Sequence, residues 1–130
     1  MPQRPGRVPR LEFAIPCRLF DNIEVSPTIE SILEAAELVK PGRFEFDLAV
    51  KLFAAEGPHE MVVTPVDPKG EPEANDRSTV SFTVENPAWG ERLSVPVSFP
   101  CETVGWWAIQ VVLDGEPLGE THLWVQFTPY

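Results

Sequence analysis

Few residues in this chain have the types and spacing that chemistry requires. The histidines are His59, in "EGPHEM", and His122, in "ETHLW"; the cysteines are Cys17 and Cys101. His59 followed by Glu60 matches no metal-binding motif. His122 with Glu120 two residues earlier supplies at most two ligands where zinc takes three or four. The cysteines lie far apart and form no C-x-x-C pair, so their spacing points to no metal or redox centre. A disulfide would need both thiols to point to one place, and in a reducing compartment two buried free thiols are expected. No glycine-rich phosphate cradle, no G-x-S-x-G and no H-E-x-x-H occurs. The expectation is a non-enzymatic protein with no catalytic residues, no metal and no cofactor.

Two binding chemistries remain to be weighed. The loop "VDPKGEPEANDR" (66–77) offers Asp67, Glu71, Glu73, Asn75 and Asp76 as oxygen ligands for calcium. It lacks the EF-hand order, and its prolines limit convergence, so a solvated hairpin loop is expected. Trp89, Trp106 and Trp124 would stack on sugar rings if they met, but Trp89 belongs to the turn "ENPAWG" and the sequence does not place it beside the others.

The elements that must position these residues are short strands. Fifteen prolines in 130 residues disfavour long helices. Turn signals recur at "KPG", "EGP", "DPKGEP", "ENPAWG", "FPCETVG" and "DG". Between them apolar residues fall at every second position, most clearly in "FEFDLAVKLF", where Phe44, Phe46, Leu48, Val50 and Leu52 share one face. The same alternation places Leu11, Phe13, Ile15, Cys17 and Leu19 together, then Val80, Phe82 and Val84, then Leu93, Val95, Val97 and Phe99. Pro16 and Pro96 fall on the opposite faces and argue for edge strands or bulges. "EMVVTPV" is a further strand. The exception is "SPTIESILEAAELVKPG", where helical spacing of Ile29, Ile32, Leu33 and Ala36, a Ser26 cap and Pro27 at the first position predict a helix.

In the closing hairpin, Asp114 and Gly115 make a two-residue turn that pairs Leu113 with Glu116 and Val111 with Leu118. Without an irregularity this register would expose Leu123, Val125 and Phe127. A one-residue bulge at Gly119 or Glu120 restores them to the core with Trp107, Ile109, Val111 and Leu113. Trp106 and Trp124 then pair on the outer face, flanked by Ala108, Gln110, His122 and Gln126. Such an aromatic pair stabilises a hairpin by about 0.2 to 1 kcal/mol, but it is also suited to anchor a partner.

Charge narrows the partner classes. The formal net charge is −10, and Arg4, Arg7 and Arg10 precede every acidic residue. From Leu11 onward seven basic residues face twenty acidic ones, a net of −13. Such a body repels phosphate backbones, so nucleic acid is not an expected partner. No apolar run is long enough to span a membrane, and the basic start has no apolar stretch behind it, so a cytoplasmic protein is expected. Residues 1–10 read as a flexible basic leader and 11–130 as one domain with enough apolar residues for a core.

The ordered set "LEFAIPCRLFDN", "VSFTVEN", "LSVPVSFP", the "V-D-P-x-G" turn and the "G-x-x-x-x-x-V-x-L-D-G" hairpin resembles a family of small bacterial proteins of unknown function with an immunoglobulin-like fold. The resemblance implies that "TIESILEAA" starts as a strand, and it implies no catalytic residues. The expected architecture is an all-β, immunoglobulin-like antiparallel sandwich of seven or eight strands with at most one short helix, a turn near Glu34–Leu38. The expected function is a protein-binding or accessory module with Trp106, Trp124, His122, Gln110 and Gln126 as its patch. The alternatives are a self-associating subunit and a calcium- or carbohydrate-dependent binder.

Overall fold

The segment Gly42–Phe53 is where alternation acts most plainly: Phe44, Phe46, Leu48, Val50 and Leu52 are all buried. A strand puts successive side chains on opposite faces, so five apolar residues at period two make one continuous apolar face. That face must be covered by a second layer. The computed structural model describes residues 9–21, 28–32, 35–38 and 42–127, with backbone alone for 18–21, 28–32 and 35–38.

The strands in chain order are β1 (Arg10–Asp21), β2 (Thr28–Ile32), β3 (Ala35–Leu38), β4 (Gly42–Phe53), β5 (Gly57–Val66), β6 (Ser78–Val84), β7 (Glu91–Cys101), β8 (Gly105–Leu113) and β9 (Glu116–Phe127). One sheet has the order β2-β1-β4-β7, the other β3-β9-β8-β5-β6. The fold is an all-β, immunoglobulin-like sandwich, antiparallel apart from the β3–β9 pair. Seven long strands build the two layers, and the short β2 and β3 extend one edge of each. The helical turn expected near Glu34–Leu38 is not formed, because Ala35–Leu38 runs extended beside Trp124–Phe127. Tertiary pairing has overridden the local helical spacing. The helical element among the described residues is one 3-10 turn, Ala74–Asp76. No helix there is long and apolar enough to cross a membrane.

The core runs between the sheets and centres on Phe99, Trp107, Leu48, Leu52, Met61 and Ile109, all essentially inaccessible. Phe99 and Trp107 have ring centroids 4.6 Å apart, and Phe46 meets Phe99 edge-on at 6.1 Å. Burying each such side chain stabilises the fold by about 1.5 to 3 kcal/mol. The Trp107 indole keeps its one polar atom satisfied by donating to the Thr103 carbonyl at 2.9 Å.

Strand β1 departs from simple alternation. A register shift between Leu11 and Phe13 puts Ala14 opposite Val50 and Pro16 opposite Leu48, on the inner side. Phe13, Ile15 and Cys17, expected in the core, therefore lie on the outer side, where Cys17 packs with Ala49 and Phe13. The bulge reverses the faces of Phe13 to Cys17; the side chain of Leu19, also expected in the core, lies outside the described residues. Cys101 remains in the main core, so the two buried thiols sit on opposite faces of one sheet. Arg10, assigned by its sequence to the flexible leader, opens β1 and lies over the Phe53 ring at 4.4 Å. Residues 1–8 of that leader lie outside the described ones.

Candidate functional site

The β8–β9 hairpin carries the aromatic patch. Asp114 and Gly115 both adopt positive φ, 50° and 83°, as a tight two-residue turn demands, and Leu113 faces Glu116. The bulge falls at Leu118, one residue before the expected position: Val112 pairs with Pro117 and Val111 with Gly119. Gly119 lies close to β1 there: a Cβ would come within 2.8 Å of a Leu11 methyl, which would have to shift to admit it. Leu118 itself packs partly against the core. Beyond the bulge Trp107 faces Leu123 and Trp106 faces Trp124. Leu123 and Val125 are buried, and Phe127 is half-buried.

On the outer face, Trp106 and Trp124 stand at 66° with centroids 5.3 Å apart. Trp106 is 59% exposed; Trp124 is half-buried and donates its indole N–H to Gln126 Oε1 at 2.9 Å. Strand register places Ala108 opposite His122 and Gln110 opposite Glu120. Trp106, Gln110, His122, Trp124 and Gln126 therefore share one face. His122 is exposed, with Nε2 3.0 Å from Glu120 Oε2. The patch is thus an aromatic pair rimmed by amides and one histidine–carboxylate contact.

Trp89 does not join it. It lies in the turn before β7, next to Gly90, where a Cβ would meet Lys51 and Phe53 of β4, the strand that β7 pairs with. That turn and Trp106 occupy opposite ends of the sandwich, since β6 ends beside Gly57 while Trp106 starts β8. A three-tryptophan sugar platform is not assembled.

Two carboxylates of the acidic loop are already engaged. Asp67 Oδ1 accepts from the Lys69 and Glu71 N–H groups, each at 2.9 Å, and Asp76 is paired with Arg43. Glu73 N–H donates to the Pro65 carbonyl at 2.8 Å, binding the loop to β5. No group of three potential metal ligands converges among the described residues.

A second polar constellation escaped the sequence reading. His59 is in β5 with its side chain 10% exposed, stacked on Phe82 at 5.6 Å. Its Nδ1 is 2.5 Å from Asp114 Oδ2, and its Nε2 is 2.6 Å from the Ala55 carbonyl. Both partners are acceptors, so the protonated ring, with both nitrogens donating, is the form that satisfies them. Burial alone would lower its pKa; the bonds to Ala55 and Asp114 and the attraction of the carboxylate outweigh this and raise it. Asp114 is held below the usual carboxylate range by the Glu60 N–H, at 2.8 Å, and by His59. His59 and Asp114 are 55 positions apart, so the pair left no local signal.

No protein-family model matches the sequence, and no curated protein matches it. Among the solved structures similar to this chain are two at low identity. One is an alkylpurine DNA glycosylase, AlkC, from Pseudomonas fluorescens, bound to DNA containing an abasic-site analogue. The match is 13% identical with a TM-score of 0.41, covering 72% of this chain and 27% of the glycosylase. This chain thus spans about a quarter of that enzyme. The other is an immunoglobulin-like protein, PA1606, from Pseudomonas aeruginosa, 16% identical with a TM-score of 0.43, covering 95% of this chain and all of that one.

Proposed function

We propose that the protein is a non-enzymatic binding module, of the small bacterial immunoglobulin-like kind, that docks another protein through the outer face of its β8–β9 hairpin. The observation that carries this reading is Trp106, an indole 59% exposed on a regular strand and braced by Trp124. Solvent gains nothing from such a residue, whereas a rigid aromatic anchor with polar neighbours suits the centre of a protein interface. The polar rim of Gln110, His122 and Gln126 fits the same use. The groups suited to reaction chemistry point the same way. His59 has both nitrogens occupied, and burial pushes the Cys101 thiol up to about 12, with Arg43 opposing the shift.

Affinity capture with the wild type and with the Trp106→Ser, Trp124→Ser variant tests the reading. The variant is expected to lose specific partners while keeping the wild-type circular dichroism spectrum. Identical partner sets would remove the patch from consideration.

A further inference from the structure

The sheet edges on the β6 and β7 side of the sandwich are built in opposite ways. The free edge of β7 is closed. The Pro96 carbonyl accepts from Ser78 Oγ at 2.7 Å, the Ser98 carbonyl from Arg43 Nη2 at 3.3 Å, and the Pro100 carbonyl from the Glu102 N–H at 3.1 Å. Pro96 and Pro100 have no N–H to offer. Prolines and side-chain plugs of this kind keep a strand from recruiting another.

Apart from Ser78, whose hydroxyl reaches the Pro96 carbonyl of β7, β6, "STVSFTV", carries none of these devices: no proline, no glycine, no charge and no bulge in its pairing with β5. The orientation of its backbone follows from its neighbour. Glu60 N–H donates to Asp114 Oδ1 and its carbonyl accepts the Asp114 N–H, so Glu60 turns both groups toward β8. Ser81, opposite Glu60, therefore turns its own N–H and carbonyl to the free edge. By alternation Thr79 and Thr83 do the same. On the inner side Val80 and Phe82 pack on the core yet stay partly exposed.

The sequence around Ser81 is complementary to itself. If two copies of β6 lie antiparallel with Ser81 facing Ser81, then Thr79 faces Thr83 and Val80 faces Phe82. One step outside the strand, Arg77 faces Glu85. Hydroxyl pairs, an aromatic beside a β-branched residue and an opposite-charge pair are favourable cross-strand neighbours. The Ser81 pair and the two Thr79–Thr83 pairs each exchange two backbone hydrogen bonds. On a chain of net charge −10, an uncharged strand ended by one cation and one anion is a place where two copies meet without opposing carboxylates.

We propose that the protein forms a two-fold homodimer by antiparallel pairing of β6 with β6 of a second copy, centred on Ser81. The two five-stranded sheets become one continuous sheet, and the contact is isologous, so it closes at two copies. Trp106 and Trp124 lie on β8 and β9, on the far side of β5, and remain available.

Sedimentation equilibrium across a dilution series is expected to show a dimer that dissociates on dilution. Ser81→Pro removes an edge-facing N–H and leaves the donors to β5 intact, so it is expected to give a monomer. Arg77→Glu sets like charges opposite one another at both ends and is expected to weaken the dimer about tenfold, and adding Glu85→Arg restores it. The charge variants lie outside the strand and read the pairing even if the proline variant does not fold. A wild type that stays monomeric to millimolar concentration, or a dimer whose strength ignores the charge reversal, overturns the proposal. Neither result bears on the Trp106 patch, which the capture experiment tests separately.

Discussion

His59 and Asp114 close the end of the sandwich where the β8–β9 turn meets the start of β5. Asp114 joins the two with three bonds: its N–H to the Glu60 carbonyl, Oδ1 to the Glu60 N–H and Oδ2 to His59 Nδ1. His59 passes the link on to Ala55, in the β4–β5 turn. Two turns and a strand, distant in sequence, are thereby fixed to one another by one ion pair.

This pair sets a pH window. The folded-state pKa of His59 is raised, so its contribution is full below its ordinary value near 6.5 and is lost as pH rises through the folded value. The pKa of Asp114 is lowered, so its contribution is present above the ordinary carboxylate range and is lost as pH falls through the folded value. Of the residues lining the groove beside the ring, Glu60 and Asp114 are the charged ones; β6 contributes Ser81, Phe82 and Thr83. Urea titrations are expected to show Asp114→Asn costing more at pH 5.5 than at pH 8.5. A penalty identical at both pH values would contradict a charge-dependent His59–Asp114 bond.

Asp114 also sits at φ 50°, where residues other than glycine, asparagine and aspartate are strained. Asp114→Ala loses the bonds and adds this strain, so it is expected to destabilise by about 2 to 3 kcal/mol. Asp114→Asn tolerates the conformation and should cost only about 1 kcal/mol. Thermal and urea unfolding of the two variants side by side would separate turn strain from ion pairing.

Adjacent tryptophans are expected to behave very differently. Trp107→Ala leaves a hole beside Phe99 and an unpaired Thr103 carbonyl, and should destabilise by about 3 to 5 kcal/mol. Trp106→Ala removes an exposed ring and should cost about 1 kcal/mol or less. Equal costs would mean that the strand faces are assigned wrongly.

Neither thiol is placed for a bridge, and both are buried. Thiol-reactive dye is expected to label Cys17 and Cys101 only as the protein unfolds, with Cys101 further protected by a pKa near 12. Mild oxidation should produce no internal disulfide, because the four-stranded sheet stands between the side chains. Rapid labelling at native pH, or a bridged species on non-reducing gels, would count against this packing.

The sequence by itself determined the layered β architecture, because Phe44 to Leu52, Val80 to Val84 and Leu93 to Phe99 alternate at the period of a strand and have no stable alternative to facing a core. It also determined that Trp106 and Trp124 pair outside, since Asp-Gly turn chemistry and the need to bury Leu123 and Val125 leave one register. Only the tertiary structure decided the rest. The bulge in β1 that turns Cys17 outward, the recruitment of Ala35–Leu38 as a strand beside β9 and the His59–Asp114 bond all depend on partners about 30 to 90 residues away. Local pattern carries the period of an element; which neighbour completes its hydrogen bonds is settled by the packed chain.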